Sequence, residues 1–203
     1  MAVEPKALAE LPLFPLNAVL FPGGPLKLRI FEPRYVDMIG RCMRADEEFG
    51  VAMIVEGKEV GAARTANIGT TARIFDFETL KDGLLGIAAR GARRFKMHSV
   101  RTQHDGLNVA RVEFLPADPT TTVGKQCIPL SHIVASIFPH VKALYAEAEP
   151  LLDDASWLSA RAAELLPLSG SDRQHCLELD HPAERLAFLM HCLEALGGVT
   201  SPG

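Results

Sequence analysis

The sequence has few cysteines, and the four it has, Cys42, Cys127, Cys176 and Cys192, form no CxxC pair. That spacing excludes a zinc ribbon and a thioredoxin-like motif, and reads as reduced thiols in a cytoplasmic protein. There is no GxxxxGK[ST] phosphate loop, no GxGxxG, no HExxH and no GxSxG. The common signatures of nucleotide, dinucleotide, zinc-peptidase and serine-hydrolase chemistry are therefore missing. No run of about 18 apolar residues is present, so no membrane-spanning helix is expected. The N-terminus lacks the basic and apolar regions of a signal peptide. Internal repeats and low-complexity tracts are absent as well.

What is present is ordinary globular composition, 48% hydrophobic and 23% charged over 203 residues, enough for one domain or two small ones. The net charge of −4 gives no global pull toward nucleic acid. The charge is unevenly spread: residues 1–119 hold 16 Lys+Arg against 15 Asp+Glu, and residues 120–203 hold 5 against 10. Two halves with different surfaces follow.

Residues 11–23, LPLFPLNAVLFPG, are apolar yet broken by Pro12, Pro15 and Pro22. Neither a helix interior nor a central strand accepts such prolines, so short extended pieces at a barrel edge or closure are expected. PLKLRIF (25–31) alternates as a half-buried strand. PRYVDMIGRCMR (33–44) switches to helical period, with Pro33 suited to the first turn. FGVAMIVEG (49–57) reads as a buried strand. Residues 68–80 and 84–101 flank Asp82-Gly83 and read as a hairpin. LNVARVEFL (107–115) is a further strand, and PADPTTTVG (116–124) reads as a linker. Helical periodicity fills 126–147, 154–166, 168–179 and 181–196, with Pro129 and Pro139 starting or kinking the first. Strands followed by helices predict an α+β fold.

Candidate chemistry is sparse. Ser171 or Asp172 is expected to cap a helix, and Asp153-Asp154 likewise. His175-Cys176 and His191-Cys192 share a spacing of sixteen, but neighbouring helical residues diverge by about 100° and read as packing residues, not metal ligands. Arg29, Glu32 and Arg34 flank an apolar strand end; they read as an ion pair pinning strand to helix, or as an arginine held out for a partner's carboxylate or carbonyl. The stretch 84–101 carries Arg90, Arg93, Arg94, Lys96 and Arg101 with no acid. It reads as a solvated face, or as a phosphate stripe for RNA with Phe95 stacking.

These residues together resemble a known family. LPLFPLNAVLFPGGPLKLRIFEPRY (11–35) resembles the start of the Lon N-terminal domain, the substrate-recruiting region of Lon proteases, and most of all its stand-alone bacterial version. Gly50–Gly61, Ile68-Gly69-Thr70-Thr71-Ala72-Arg73-Ile74, Gly91-Ala92-Arg93-Arg94-Phe95, Glu164-Leu165-Leu166-Pro167-Leu168 and His181–Leu193 follow in the family's order, covering roughly 8–196. The resemblance implies a PUA-like β-barrel with one short helix over 8–118, then an α-helical bundle over 119–198. It implies a non-enzymatic module that binds polypeptide segments or a protein partner, with no cofactor and no metal. The ATPase and serine–lysine peptidase regions of family proteases have no counterpart here, so protease activity is not carried over. Docking is expected at Phe31, Arg34 and Tyr35, with Arg93 and Arg94. RNA binding by a PUA-like barrel, and an adaptor role toward an intact Lon or another ATPase, are the alternatives.

Overall fold

A computed structural model describes residues 8–57, 59, 63–145, 148–195 and 197. The chain divides into two compact units, Met1–Pro116 and Ala117–Gly203.

The first unit is a seven-stranded mixed sheet with one helix. Its first strand, β1 (Ala9–Leu16), runs straight through Pro12 and Pro15, where the sequence predicts separate pieces. The pairing explains the tolerance. Residues 9–12 pair antiparallel with β7 (Asn108–Phe114), and residues 13–16 pair parallel with β3 (Phe49–Gly57). Each half has a neighbour on one side, so a proline nitrogen facing the other side removes no ladder bond.

β2 (Pro25–Ile30) follows from the alternation of Leu26, Leu28 and Ile30, and α1 (Pro33–Ala45) opens with proline in its first turn. Tyr35, Met38, Ile39 and Cys42 form the buried face of α1 and close a core with Phe14, Ile30, Phe49, Ile87 and Leu107. Fully burying a side chain such as Met38 or Ile39 contributes about 1.5–3 kcal/mol. The short β4 (Ala63–Thr65) pairs with β3. The turn within Gly50–Gly61 falls largely outside the described residues.

β5 (Ile68–Thr79) and β6 (Leu85–Thr102) form the predicted hairpin. Gly83 supplies the positive φ of 83° that its turn needs, and Leu80 N–H donates to Leu84 O at 2.8 Å. β6 is the longest strand: its first half lies between β2 and β5, and its second half pairs with β7. A second apolar cluster joins Leu11, Leu13, Ala52, Phe95, Met97, Ala110 and Val112. It forms because Gly69 leaves room for Phe95, whose ring would stand 2.7 Å from an added Cβ there.

The second unit contains α2 (Ile128–Val141), α3 (Ala155–Leu165), α4 (Gly170–Glu178) and α5 (Pro182–Ala195). The segment 116–124, read from sequence as linker, is tied into it through Thr121 and Val123. Ala155 N–H donates to Thr121 O at 2.8 Å, and Val123 N–H to Asp153 O at 3.1 Å. Asp154 caps α3, accepting from Trp157 N–H at 2.7 Å. Ser169, not Ser171 or Asp172, caps α4 by accepting from Asp172 N–H at 3.1 Å. By length and composition the helical run Lys125–Tyr145, mean hydropathy 1.3, is sufficient to cross a membrane. Leu130, Val134 and Phe138 bury one face of α2, and Phe138 meets Trp157 edge-on at 5.1 Å.

Arg185 anchors this unit, with 2% of its surface exposed. Its guanidinium donates to Cys176 O at 2.9 Å, Leu179 O at 3.2 Å and Ser159 Oγ at 3.2 Å, and pairs with Asp118 at 3.0 Å. Arg161 pairs with Glu164 at 2.7 Å, and Glu164 accepts from the Tyr145 hydroxyl at 2.8 Å.

Candidate functional site

The sequence places candidates at the β2–α1 junction and on β6. At the junction, Phe31 is 58% exposed. Arg34 is folded inward: it pairs with Glu32 at 2.7 Å, donates to Gly106 O at 2.8 Å and lies 4.6 Å over the Tyr35 ring. It thus ties the start of α1 to the β6–β7 turn. Tyr35 is buried and stacks on Phe14 with ring centroids 4.1 Å apart. Burial raises its hydroxyl pKa, Arg34 opposing. Phe31 presents itself to solvent, and its two neighbours support the junction from beneath.

On β6, Arg93 is exposed, pairs with Glu48 at 3.3 Å and lies 3.9 Å over the Phe114 ring. Arg94 is only 5% exposed. Phe95 is fully buried and is not available to stack on a base. Arg101 pairs with Glu10 at 2.9 Å. The basic run of 90–101 is therefore partly neutralised by acids from other elements and partly buried.

The sequence missed the feature that suits a ligand best. β6 outruns β5, whose pairing ends at Ile68↔Lys96. Beyond that point residues 98–102 keep β7 on one side and have no strand partner on the other among the described residues. All five are exposed. A bulge between Met97 and Ser99 re-aims this end. Beside the open edge lies a cavity of about 430 Å³. Leu13, Pro15, Met97 and Val100 make its apolar lining, and Thr65, Asn67, Thr102 and Asn108 its uncharged polar rim. Thr102 Oγ1 donates to Asn108 Oδ1 at 2.8 Å, fixing part of that rim. His98 and Arg64 at the margin face Glu113 and Glu56. The sequence signal was a mismatch of lengths: the second arm of the hairpin, 84–101, is longer than the first, 68–80.

The helical unit carries a second cavity of about 430 Å³, bordered by Gln126, Cys127, Leu186, Met190 and Glu194. The Cys127 thiol there is buried, which raises its pKa. The expected packing role of the His–Cys pairs is met at His175, which meets Phe188 edge-on at 4.7 Å. Among the described residues no group of three His, Cys, Asp or Glu is placed to hold a metal.

Comparison with known proteins is consistent with this architecture. Residues 10–195 match the family model of the ATP-dependent protease La (LON) substrate-binding domain. The chain is 34% identical to protein cereblon of Danio rerio over 135 residues, covering 64% of this chain and 31% of that protein. It is 24% identical to Lon protease of Escherichia coli K12 over 199 residues, covering 92% of this chain and 25% of that protein. The chain thus spans less than a third of either relative, and such relatives are not confined to bacteria. The crystal structure of a Lon N-terminal domain protein from Xanthomonas campestris superposes with a TM-score of 0.78 at 36% identity, covering 90% of this chain and 98% of that one. The N-terminal domain of Mycobacterium avium complex Lon protease shares the fold, with a TM-score of 0.64 at 14% identity. With a family model matched over nearly its whole length and a solved member covering nine-tenths of it, the chain belongs to the LON substrate-binding domain family.

Proposed function

We propose that this chain is a non-enzymatic module that binds an extended polypeptide segment at the cavity beside β6. One observation carries the reading: an open strand edge, residues 98–102, lies against a cavity with apolar lining and uncharged polar rim. An unpaired edge offers alternating N–H and C=O groups, which an extended backbone satisfies. The apolar lining takes one side chain of the segment, and Asn67, Thr102 and Asn108 meet its neighbouring amides. The pairings β1–β7, β7–β6, β6–β5, β5–β3 and β3–β1 return to their start. That cycle supports a closed, PUA-like barrel with this cavity at its mouth. Of the predicted docking set, Phe31 and Arg93 are the residues with exposed side chains, Arg93 already pairing with Glu48.

The test is fluorescence anisotropy with a labelled, permanently unfolded polypeptide and a mixed-sequence RNA of matched length, each at two salt concentrations. Polypeptide binding with weak salt dependence, lost in Val100→Glu, is expected. Val100 is 49% exposed, and circular dichroism checks that the variant folds. No binding at tens of micromolar, or undiminished binding by Val100→Glu, overturns the site. RNA binding that collapses with salt would restore the phosphate reading, which the Arg93–Glu48 and Arg101–Glu10 pairs and the burial of Arg94 weigh against.

A further inference from the structure

The hydrogen bonds around the end of β6 show which backbone groups of its edge are free. Gln103 N–H donates to Leu107 O at 2.8 Å, where β6 turns into β7. Opposed pairs of an antiparallel ladder alternate between hydrogen-bonded and non-bonded. Counting back from that bond, Arg101↔Val109 is a bonded pair, and Thr102↔Asn108 and Val100↔Ala110 are not. Arg101 therefore directs its N–H and C=O to β7, and Val100 and Thr102 direct theirs to the other side. On that side Met97 N–H still reaches Asn67 O at 2.8 Å. Past Met97 no strand among the described residues pairs with Val100 or Thr102.

The side chains of the same two residues are graded. Residues opposed across a ladder share a face. Leu11, Ala110 and Val100 form one such row. It is 5% exposed at Leu11, fully buried at Ala110 and 49% exposed at Val100, an apolar row without its last member. The next row on that face is Asn108 and Thr102, whose side chains bond at 2.8 Å. Val100 and Thr102 both line the cavity. Arg101, between them, points to the opposite face, where it pairs with Glu10 at 2.9 Å.

We propose that the segment bound here runs antiparallel to β6 and carries a hydroxyl or amide residue, then any residue, then a β-branched apolar residue, with no proline at the first or third; this rests on the peptide site proposed above. The third residue stands opposite Val100 and completes the apolar row. The first stands opposite Thr102 and extends the polar one. Each donates its N–H to the C=O of the residue it faces and accepts that residue's N–H. Proline at either place has no N–H to give. A charge at either place would lose water against an apolar lining and an uncharged rim. The middle residue turns its N–H away from β6 and its side chain to the Arg101 face, so its identity is free. Antiparallel entry continues the line and direction of β5, and antiparallel pairing is the more stable per residue. A parallel segment would bond through the residues on either side of those facing Val100 and Thr102, so the two directions give opposite patterns.

The experiment uses the whole chain and the labelled heptapeptide Gly-Ser-Thr-Ser-Val-Ser-Gly, whose single apolar residue fixes the register. Three further forms are N-methylated at the threonine, the serine between, or the valine. Anisotropy gives Kd, and amide hydrogen exchange by NMR follows residues 100–102. In the free chain the Val100 and Thr102 amides should exchange fast and the Arg101 amide slowly, and the peptide should protect the first two. N-methylation at threonine or valine should weaken Kd by about tenfold or more, and at the serine between by no more than about twofold. Val100 or Thr102 amides already protected in the free chain overturn the proposal. So does a uniform or inverted methylation pattern, or binding of the unfolded polypeptide without binding of the heptapeptide. In those cases the peptide site itself stands if Val100→Glu still abolishes polypeptide binding. Failure of both probes to bind removes the site and this pattern together.

Discussion

Replacing Asp118 with alanine should cost the helical unit about 3–5 kcal/mol, because it leaves a buried guanidinium without its counter-charge. Arg185 is 2% exposed, and Asp118 is its one acidic partner at 3.0 Å among the described contacts; the others are Ser159 Oγ and the carbonyls of Cys176 and Leu179. Asp118 Oδ2 also accepts from Ser156 Oγ at 2.9 Å, so the same change strands a hydroxyl on α3. The assay is urea unfolding followed by Trp157, the only tryptophan of the chain, which sits against Phe138 in this unit. At an m of about 2 kcal/mol/M the midpoint should fall by about 2 M. Asp118→Asn keeps an acceptor for both donors and should lose roughly half as much. A fall of less than about 0.5 M for the alanine variant would show that the guanidinium finds other company, and would refute the anchor role.

Three further outcomes are expected. Gly69→Ala would bring a Cβ to 2.3 Å from Val51 O and 2.7 Å from the Phe95 ring, and should destabilise the first unit by about 1–3 kcal/mol or more by thermal melting; a melt unchanged from the native chain would contradict the close approach. Burial pushes the Cys176 thiol up to about 12 and raises Cys42, Cys127 and Cys192 too, so a thiol reagent at mildly alkaline pH should reach half-buried Cys192 first and Cys176 only on unfolding. Burial raises the Glu164 carboxyl above 4.5, Arg161 and Tyr145 opposing. The folded state then holds its proton to higher pH than the unfolded state, so this group's contribution is full below 4.5 and is lost as pH rises through the folded value. The stability of the native chain relative to Glu164→Gln should therefore fall across that range in urea titrations; a rise would reverse the sign.

Local signals made most elements legible in the sequence. The alternation of Leu26, Leu28 and Ile30, the helical spacing of Tyr35, Met38, Ile39 and Cys42, and the Asp82-Gly83 turn each act within a few residues. What stayed hidden depends on distant partners. Pro12 and Pro15 look like breaks until one sees that β1 is bonded on a single side in each half. Arg94 and Tyr35 look like surface residues because charge and hydroxyl suggest water, yet neighbouring strands and the Phe14 ring enclose them. The helix cap moved from Ser171 to Ser169 because Gly170 already belongs to the helix. The open end of β6 is a property of strand lengths compared across the sheet, which no single segment records.

The divided pairing of β1 also sets an order of events. Its second half, residues 13–16, can meet residues 50–53 of β3 about forty residues after it is made, but its first half, residues 9–12, waits for residues 109–112 of β7, about a hundred residues after it is made. On a ribosome adding roughly 5–20 residues per second, that half of the strand remains without its neighbour for several seconds. Closing so long a loop comes late and slowly compared with the local β5–β6 hairpin. Pro12, unable to donate to any stray strand, would make the waiting segment a reluctant partner for wrong pairings.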